Sequence, residues 1–362
     1  MQKDRRCEKT FVFYITNHGY GHASRNVAII QQLLSLNNNI RVIVKSDKER
    51  CSFMQRNLGQ CENVEYYSDC QEVGVILEEG GLQPDVSTMR TQIESDIQLW
   101  PTYIRREQKF LRMCKPNAVI SDVVCWAIYA AKKEHIPSLL IGNFTWASMY
   151  RSFFDEDVYG KYLNYYKQAD KVLLYEIHDE SLDSDFRNPK QISLVTRKVN
   201  YADAEVIQRK HKQPIVFVSL GASAEIDCAI DVSSLPYDFV TTRGIELIGE
   251  NVYPLSYDMI NTMDYIAASD IVIAKGGWST VSEILLQKKK CALLMRGNNT
   301  EDNATKRILE EKNHCIAIDE KDLMDIGNII TRIVALQPEP YSYTNDVSLI
   351  CNEIINLETT VC

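Results

Sequence analysis

The sequence predicts an α/β protein made of two Rossmann-like domains that face a central cleft. The chain has 362 residues, more than one hydrophobic core usually serves, so two domains are expected. Strands and helices alternate along it, as in a doubly wound parallel sheet. Each half also carries a glycine-containing loop between a strand and a helix, at the sheet edge where ligands collect in such folds.

The first half contains five apolar, β-rich runs and a clear helical pattern. The run at 11–16 is continuous, as expected of a strand buried on both faces of a parallel sheet. Apolar spacing at 25–36 predicts a helix after the first loop. The other strands are predicted at 40–44, 119–122, 138–142 and 172–175.

The second half repeats this pattern after a polar stretch at 208–214, a candidate interdomain region. Its strands are predicted at 215–221, 238–242, 271–274 and 291–294. We place the first domain at 1–195 and the second at 196–340. Residues 341–362 form a terminal segment, and helical spacing at 347–357 predicts that it packs back on the first domain.

Composition narrows the class of function. Hydrophobic residues make up 45% of the chain and charged residues 25%, which is typical of a globular protein. The formal net charge of −9 argues against a nucleic-acid partner, because phosphate binding needs a clustered positive field. Eleven cysteines without a CxxC pair predict reduced thiols in a cytoplasmic protein. No apolar run reaches about 18 residues, so no membrane span is predicted, while peripheral membrane association stays open.

The first glycine loop carries two histidines. Gly19 and Gly21 let the backbone turn tightly and approach a ligand, and His18 and His22 lie beside them. Imidazole is the side chain best able to move protons near neutral pH, which makes His22 a catalytic candidate. The alternative is that His22 only caps or packs the loop. His18 is either structural or in contact with a ligand.

Asp122 ends the strand predicted at 119–122, so it should lie at the same sheet edge as His22. A carboxylate there would orient the imidazole and stabilise its protonated form. The alternative is that Asp122 caps a helix beginning near Val123. The two roles are compatible.

The second glycine loop follows a strand and opens a helix. Gly276 and Gly277, the hydroxyls of Ser279 and Thr280, and the helix N-terminus would together cradle a diphosphate. Glu283 lies about one turn further on, where a carboxylate accepts hydrogen bonds from a ribose diol. The alternative is a capping box from Thr280 to Glu283 with no ligand.

Segment 277–280 with Glu283 resembles the donor-binding signature of glycosyltransferases of the GT-B fold, such as the plant UDP-glycosyltransferases. In that family the Gly-Trp pair, a Ser and the Glu hold the phosphates and ribose of the donor, and the resemblance implies these roles here. Lys275 stands where those enzymes have a histidine, so the phosphate contact is altered. The stretch 258–283 is also similar to the bacterial peptidoglycan N-acetylglucosaminyltransferases, which lack the Trp.

The first domain resembles the same family. Its dyad is a histidine after the first strand and an aspartate about a hundred positions on, and here 122 − 22 gives 100. The resemblance implies that His22 deprotonates the acceptor and that Asp122 supports it. Segments 18–25, 142–146 and 267–283 also resemble the glycosyltransferase-like N-terminal region of plant-type arabinokinases. That resemblance does not extend to their sugar-kinase half, so kinase activity is not implied.

The chain departs from the plant family where that family holds the donor sugar. An Asp-Gln pair is missing before 303–304, and either Glu301 with Asp302 or Asn299 with Thr300 takes its place. The donor sugar therefore stays open. We assign the donor site to Gly21, Gly221, Ala222, Ser223, Tyr253, Lys275, Gly276, Gly277, Trp278, Ser279, Thr280, Glu283, Glu301 and Asp302.

Acceptor contact is assigned to His18, Asn143, Phe144 and Trp146, because aromatic side chains after a strand suit sugars and flat aglycones. The aromatic residues from Tyr150 onward are equally well explained by a core helix.

The implied reaction is an inverting transfer from a UDP-linked sugar, which is a substrate, so no cofactor is expected. No Asp-x-Asp motif is apparent, and no metal is predicted. Segment 19–25 also resembles the loop of enzymes that cleave UDP from activated amino sugars, which makes a nucleotide-sugar hydrolase the first alternative. A non-catalytic nucleotide-sugar binding module is the second.

Overall fold

The computed structural model describes residues 9–70, 72–78, 84–220, 229–256, 259, 261–296 and 299–357. The chain divides into two compact units. The first comprises Met1–Val195 and Asn345–Cys362, and the second comprises Thr196–Thr344.

The first unit is built on a seven-stranded parallel sheet of order β3-β2-β1-β4-β5-β6-β7. Its strands are β1 (Lys9–Ile15), β2 (Ile40–Lys45), β3 (Val64–Tyr67), β4 (Ala118–Asp122), β5 (Ser138–Gly142), β6 (Lys171–Tyr175) and β7 (Lys190–Ile192). The middle strands are wholly buried because helices cover both faces of a parallel sheet, which explains their continuous apolar sequence.

The described residues before 196 form seven helices. They are α1 (Tyr20–Leu36), α2 (Lys48–Leu58), α3 (Val86–Cys114), α4 (Cys125–Lys133), α5 (Trp146–Tyr150), α6 (Glu156–Tyr166) and α7 (Ser181–Asp185). Helix α1 begins at Tyr20 rather than at Arg25, because Gly19 alone makes the turn and is its N-cap, with a φ of 77°. His22 therefore lies in the first turn of the helix and not in the loop before it.

The second unit has a six-stranded parallel sheet of order β12-β10-β8-β13-β14-β15 and a two-stranded sheet of β11 and β9. Its strands are β8 (Ile215–Ser219), β9 (Ala229–Asp231), β10 (Asp238–Thr241), β11 (Glu246–Ile248), β12 (Val252–Pro254), β13 (Ile271–Lys275), β14 (Lys290–Leu294) and β15 (Cys315–Ile318). Its helices are α8 (Tyr201–Lys210), α9 (Thr262–Ala268), α10 (Trp278–Leu286), α11 (Thr300–Glu311), α12 (Ile326–Ala335) and a 3-10 helix (Asp322–Asp325).

The last helix, α13 (Val347–Ile355), packs against α1 in the first unit. The Asp346 carboxylate accepts a hydrogen bond from the backbone N–H of Ser193 at 2.7 Å. Glu353 forms ion pairs with Lys171 and Lys190 on the last two strands of the sheet. The α/β fold class predicted from the sequence is confirmed. Within the described ranges, no helix is both long and apolar enough to cross a bilayer.

A buried ion pair ties α3 to the first sheet. Lys45 and Glu107 are 1% and 0% exposed, and the Lys45 ammonium donates to Glu107 Oε2. The Tyr14 hydroxyl donates to the same oxygen at 2.8 Å. Either charge would be destabilising if it were buried without its partner, so removing one partner should destabilise the unit.

We expect Glu107→Ala to lower the free energy of unfolding of the first unit by about 3–5 kcal/mol, because it leaves the Lys45 ammonium buried with less compensation. Urea unfolding followed by tryptophan fluorescence measures this, since Trp100, Trp126 and Trp146 all lie in that unit. The matched control is Glu94→Ala, at an exposed position of the same helix. Equal effects of the two substitutions would contradict the expected role of the pair.

Candidate functional site

The first group of predicted site residues meets at the carboxyl edge of the first sheet. Strands β1 and β4 are neighbours, with Ile15 paired to Asp122 at their ends. The chain leaves β1, turns at Gly19 and enters α1, whose first turn lies over this edge. That path brings His22 to Asp122, although a hundred positions separate them in the sequence.

The Asp122 carboxylate is 0% exposed and is held by three side chains of α1. Its Oδ1 lies 2.8 Å from His22 Nδ1. Its Oδ2 accepts from Arg25 Nε at 2.7 Å and from Asn26 Nδ2 at 2.6 Å. Residues three and four positions apart share one face of a helix, which explains why these three reach a single carboxylate.

Arg25 makes the environment of Asp122 ionic. Burial disfavours the charged carboxylate, but the charges of Arg25 and His22 and their hydrogen bonds outweigh it, so the pKa of Asp122 is held well below its usual range. Arg25 is itself 2% exposed, and its Nη1 donates to Asn143 Oδ1 at 2.8 Å. Asp122 is consequently ionised at neutral pH.

The backbone is strained immediately after Asp122. Val123 has a φ of 60°, a left-handed conformation that β-branched residues rarely adopt. The Tyr166 hydroxyl donates to the Val123 carbonyl at 2.5 Å, and Ser121 Oγ accepts from the Val124 N–H at 2.9 Å. Val124, not Asp122, is the N-cap of α4, so the alternative of Asp122 as a helix cap is wrong. Strain of this kind is concentrated at functional sites.

The tautomer of His22 decides what the imidazole can do. Its Nδ1 lies 2.8 Å both from Asp122 Oδ1 and from Arg25 Nη2. A proton on Nδ1 would be donated to the carboxylate, and Nε2 would then be able to accept a proton. A bare Nδ1 would accept from the guanidinium, and Nε2 would carry the hydrogen.

The residues assigned to the acceptor lie beside this dyad. Phe144 packs edge-on against His22 with ring centroids 5.5 Å apart, and Trp146 packs on Phe144 at 5.4 Å. His18 packs edge-on against Trp146 at 5.2 Å. Phe144 and Trp146 are both 0% exposed, so they form a buried wall, while His18 is partly exposed. Asn143 is buried and bonded to Arg25.

The second group of predicted site residues is the glycine loop assigned to the donor, and it lies in the second unit between β13 and α10. Strand β13 ends at Lys275, and α10 begins at Trp278 with Gly277 as its N-cap. A Cβ on Gly276 would lie 3.1 Å from Met295 Sδ, so the chain passes close to the end of β14. The amides of the first turn of a helix point out of its N-terminus, so the start of α10, with Ser279 and Thr280, suits an anion. Thr280 is not the N-cap, so the capping-box alternative is wrong.

Glu283 is 5% exposed, one turn into α10. Burial raises its pKa to about 7, against the opposing charge of Arg197. Arg197 Nη2 lies 3.8 Å from Glu283 Oε1. The sequence did not single out Arg197, because it lies 86 positions away and belongs to no motif.

The acidic pair after β14 is engaged with an arginine. Asp302 is 0% exposed and accepts from the Arg296 backbone N–H at 2.7 Å and from its Nε at 3.0 Å. Glu301 lies 3.2 Å from Arg296 Nη2. Asn299 caps α11, with its Oδ1 accepting from the Asp302 N–H at 3.1 Å. Burial, followed by the charge of Arg296, lowers the pKa of Lys275.

The other assigned donor residues differ in where they lie. Tyr253 is on β12, three strands away from β13 in the sheet, and packs on His211 instead. Gly221, Ala222 and Ser223 lie outside the described residues. Gly21 is in the first turn of α1. Over the described part of the chain, no group of three or more His, Cys, Asp and Glu side chains is arranged to hold a metal.

The chain is similar in sequence to a longer known protein. L-Arabinokinase of Arabidopsis thaliana is 22% identical over an alignment of length 352, and the alignment covers 91% of this chain and 32% of that protein. The chain thus spans about a third of the length of this relative. No protein-family model matches the sequence.

Solved glycosyltransferases share the fold. Arabidopsis thaliana UGT89C1, solved with UDP, is 11% identical with a TM-score of 0.58, covering 98% of this chain and 93% of its own. The calicheamicin glycosyltransferase CalG4 is 13% identical with a TM-score of 0.59, over 98% and 94%. Acinetobacter baumannii MurG is 12% identical with a TM-score of 0.53, over 96% and 99%. The chain has the GT-B fold, as the resemblance in its sequence implied.

Proposed function

We propose that the protein is an inverting glycosyltransferase that moves a sugar from a UDP-linked donor to an acceptor hydroxyl. The observation that carries the proposal is the contact between His22 and the buried, ionised Asp122 at the sheet edge. A histidine oriented by a carboxylate is a general base at neutral pH. The GT-B fold and the Gly277-capped helix of the second unit support a nucleotide-sugar donor.

In the proposed reaction His22 Nδ1–H donates to Asp122, and Nε2 takes the proton of the acceptor hydroxyl. The acceptor oxygen then forms a bond to the anomeric carbon from the face opposite the diphosphate. The bond from that carbon to the diphosphate oxygen breaks, and the nucleoside diphosphate leaves with the electron pair. Each transfer therefore inverts the anomeric centre.

The proposed donor site uses the start of α10. Its amides and the hydroxyls of Ser279 and Thr280 stabilise the charge that develops on the leaving diphosphate. Lys275 adds a cation beside them. Glu283 accepts hydrogen bonds from the ribose hydroxyls. The charge of Arg197 favours the ionised form of Glu283, which is the form that accepts them. No metal is required in this scheme.

Arg25 distinguishes the proposed dyad from an isolated His–Asp pair. Its guanidinium pairs with the ionised Asp122 and holds the carboxylate in contact with His22 Nδ1. We infer that Arg25 is a positioning residue, because it contacts Asp122 and Asn143 and holds both in place for the imidazole.

Replacing His22 by Ala is expected to lower acceptor-dependent UDP release by about 10²–10⁴-fold, because the base is lost. UDP binding should be unchanged, since His22 is assigned no donor contact. The measurement is UDP release from UDP-glucose and related UDP-sugars, with and without a panel of acceptors. The control is His135→Asn, at an exposed turn position with a φ of 55° that asparagine tolerates.

Unchanged turnover in His22→Ala would refute the assigned base. Fast release without any acceptor would instead mean a nucleotide-sugar hydrolase. Binding of UDP-sugars with no release in the wild-type protein would mean a binding module.

Glu283 should make donor binding pH-dependent. Its raised pKa of about 7 means that the carboxylate becomes protonated as the pH falls through neutrality, and a protonated carboxyl loses acceptor capacity for the ribose diol. Affinity for UDP-glucose should therefore fall as the pH is lowered through 7. This donor is chosen because its diphosphate is esterified at both ends and does not titrate there.

Calorimetric titrations across this pH range measure the effect in the wild type and in Glu283→Gln. The variant should bind more weakly above neutrality and lose the pH dependence. Glu250→Gln, at an exposed position of the same unit, is the control. A pH dependence that persists unchanged in Glu283→Gln would rule out Glu283 as its source.

A further inference from the structure

A cavity of about 290 Å³ lies in the first unit, between residues 72–76 and one side of α3. Helix α3 contributes Gln92, Asp96 and Tyr103 to its lining. The volume is at the small end of the range for pockets that hold small molecules. None of these residues belongs to the dyad or to the donor loop.

Two carboxyl groups line this cavity, and each has an uncharged indole as its partner. Glu72 Oε2 accepts from Trp146 Nε1 at 3.0 Å, and Asp96 Oδ2 accepts from Trp100 Nε1 at 2.9 Å. The second Glu72 oxygen, Oε1, is buried and makes no hydrogen bond of ordinary geometry with the described residues. A buried carboxyl oxygen without a partner is expensive unless a ligand supplies the donor.

Burial controls the ionisation of both groups. It raises the pKa of Glu72 to about 8, against the opposing effect of the Trp146 indole and the nearby Thr16 hydroxyl. It also raises the pKa of Asp96, against hydrogen bonds from Trp100 and Tyr103. These opposing groups are all uncharged, so the carboxyl groups lack the compensation that a cation would give.

A guanidinium beside this lining is already engaged. Arg106 lies on α3, with its guanidinium carbon 5.7 Å from the centre of the Tyr103 ring. Its Nε donates to Glu107 at 2.8 Å, and its Nη2 donates to the Asp69 carbonyl at 2.9 Å. The cavity therefore combines two carboxyl groups and an aromatic ring, a combination that favours an organic cation.

Trp146 connects the cavity with the proposed catalytic dyad. Its ring packs on Phe144, which packs on His22, while its Nε1 donates to Glu72. Gly74 also lies against this wall, because a Cβ there would be 2.6 Å from His18 Nδ1. A molecule in the cavity thus lies one indole ring away from the cluster that surrounds His22.

We propose that this cavity binds a protonated primary amine, with Glu72 and Asp96 as its ion-pair partners, and that the amine belongs to the acceptor. The acceptor is then an amino sugar or another hydroxylated aliphatic amine. The assignment to the acceptor rests on the proposed transferase function. The binding of an ammonium group does not depend on it.

The test is calorimetric titration of the full chain with glucosamine, glucose and N-acetylglucosamine at neutral pH. Glucosamine carries the ammonium group, and the other two sugars are neutral. We expect glucosamine to bind at least about tenfold more tightly than either, the effect of one partly buried ion pair. Equal binding of the three sugars, or no binding of glucosamine, would overturn the proposal without any variant.

Variants then locate the site. Glu72→Gln and Asp96→Asn are each expected to weaken glucosamine binding about tenfold or more, because each removes a carboxyl group that ionises to pair with the ammonium and keeps the side-chain shape. Glu94→Gln is the matched control, since Glu94 is exposed on α3 and paired with Arg90 at 2.9 Å. Glucosamine affinity that survives both cavity substitutions would refute the site.

The same samples separate this inference from the proposed function. Urea unfolding of each variant, followed by the fluorescence of Trp100, Trp126 and Trp146 in the same unit, shows whether the first unit is folded. Selective glucosamine binding without turnover of any UDP-sugar would contradict the transferase and leave the amine site standing. Turnover of neutral acceptors without glucosamine binding would contradict the amine site alone.

Discussion

The ionised carboxylate of Asp122, buried at the end of a central strand, is the constraint on which the first unit's site depends. A charge at 0% exposure is tolerated only when opposite charge and hydrogen bonds surround it. Arg25, Asn26 and His22 supply these from one face of α1, and the helix must begin at Tyr20 for all three to reach. Gly19 makes the turn that places these three side chains, and the buried Asn143 extends the network by accepting from Arg25.

The same network limits what the site can do. Arg25 pairs with Asp122 and fixes the carboxylate beside His22 Nδ1. The imidazole is packed against Phe144, so its ring has little freedom to turn away from the carboxylate. In the second unit, Gly276 and Gly277 let the backbone turn from β13 into α10. The partly buried Lys275 and the buried Glu283 lie near the start of that helix. These charged side chains determine the electrostatic environment that each unit presents to a substrate.

The sequence predicted the features that leave a local pattern of residues or that resemble a known family. The strand runs show in the continuous apolar stretches, and the spacing of His22 and Asp122 matched a known dyad. The start of α1 was misplaced because Gly21 suggested a longer loop, although Gly19 makes the turn alone. Glu72 and Arg197 were missed for a physical reason: each acts through a partner far away in the sequence, Trp146 and Glu283, and neither has a neighbouring pattern. Arg25 and Asn26 carried a weak signal, as polar residues just before the apolar run at 27–30.

The central claim is that Asp122 holds the proton of His22 on Nδ1 and leaves Nε2 as the base. Long-range proton–nitrogen correlation spectra of the ¹⁵N-histidine-labelled protein report this tautomer directly, with His22→Ala used to assign the signal. The account predicts that the hydrogen of neutral His22 is on Nδ1 and that Nε2 is bare. A hydrogen on Nε2, with Nδ1 accepting from Arg25, would contradict it.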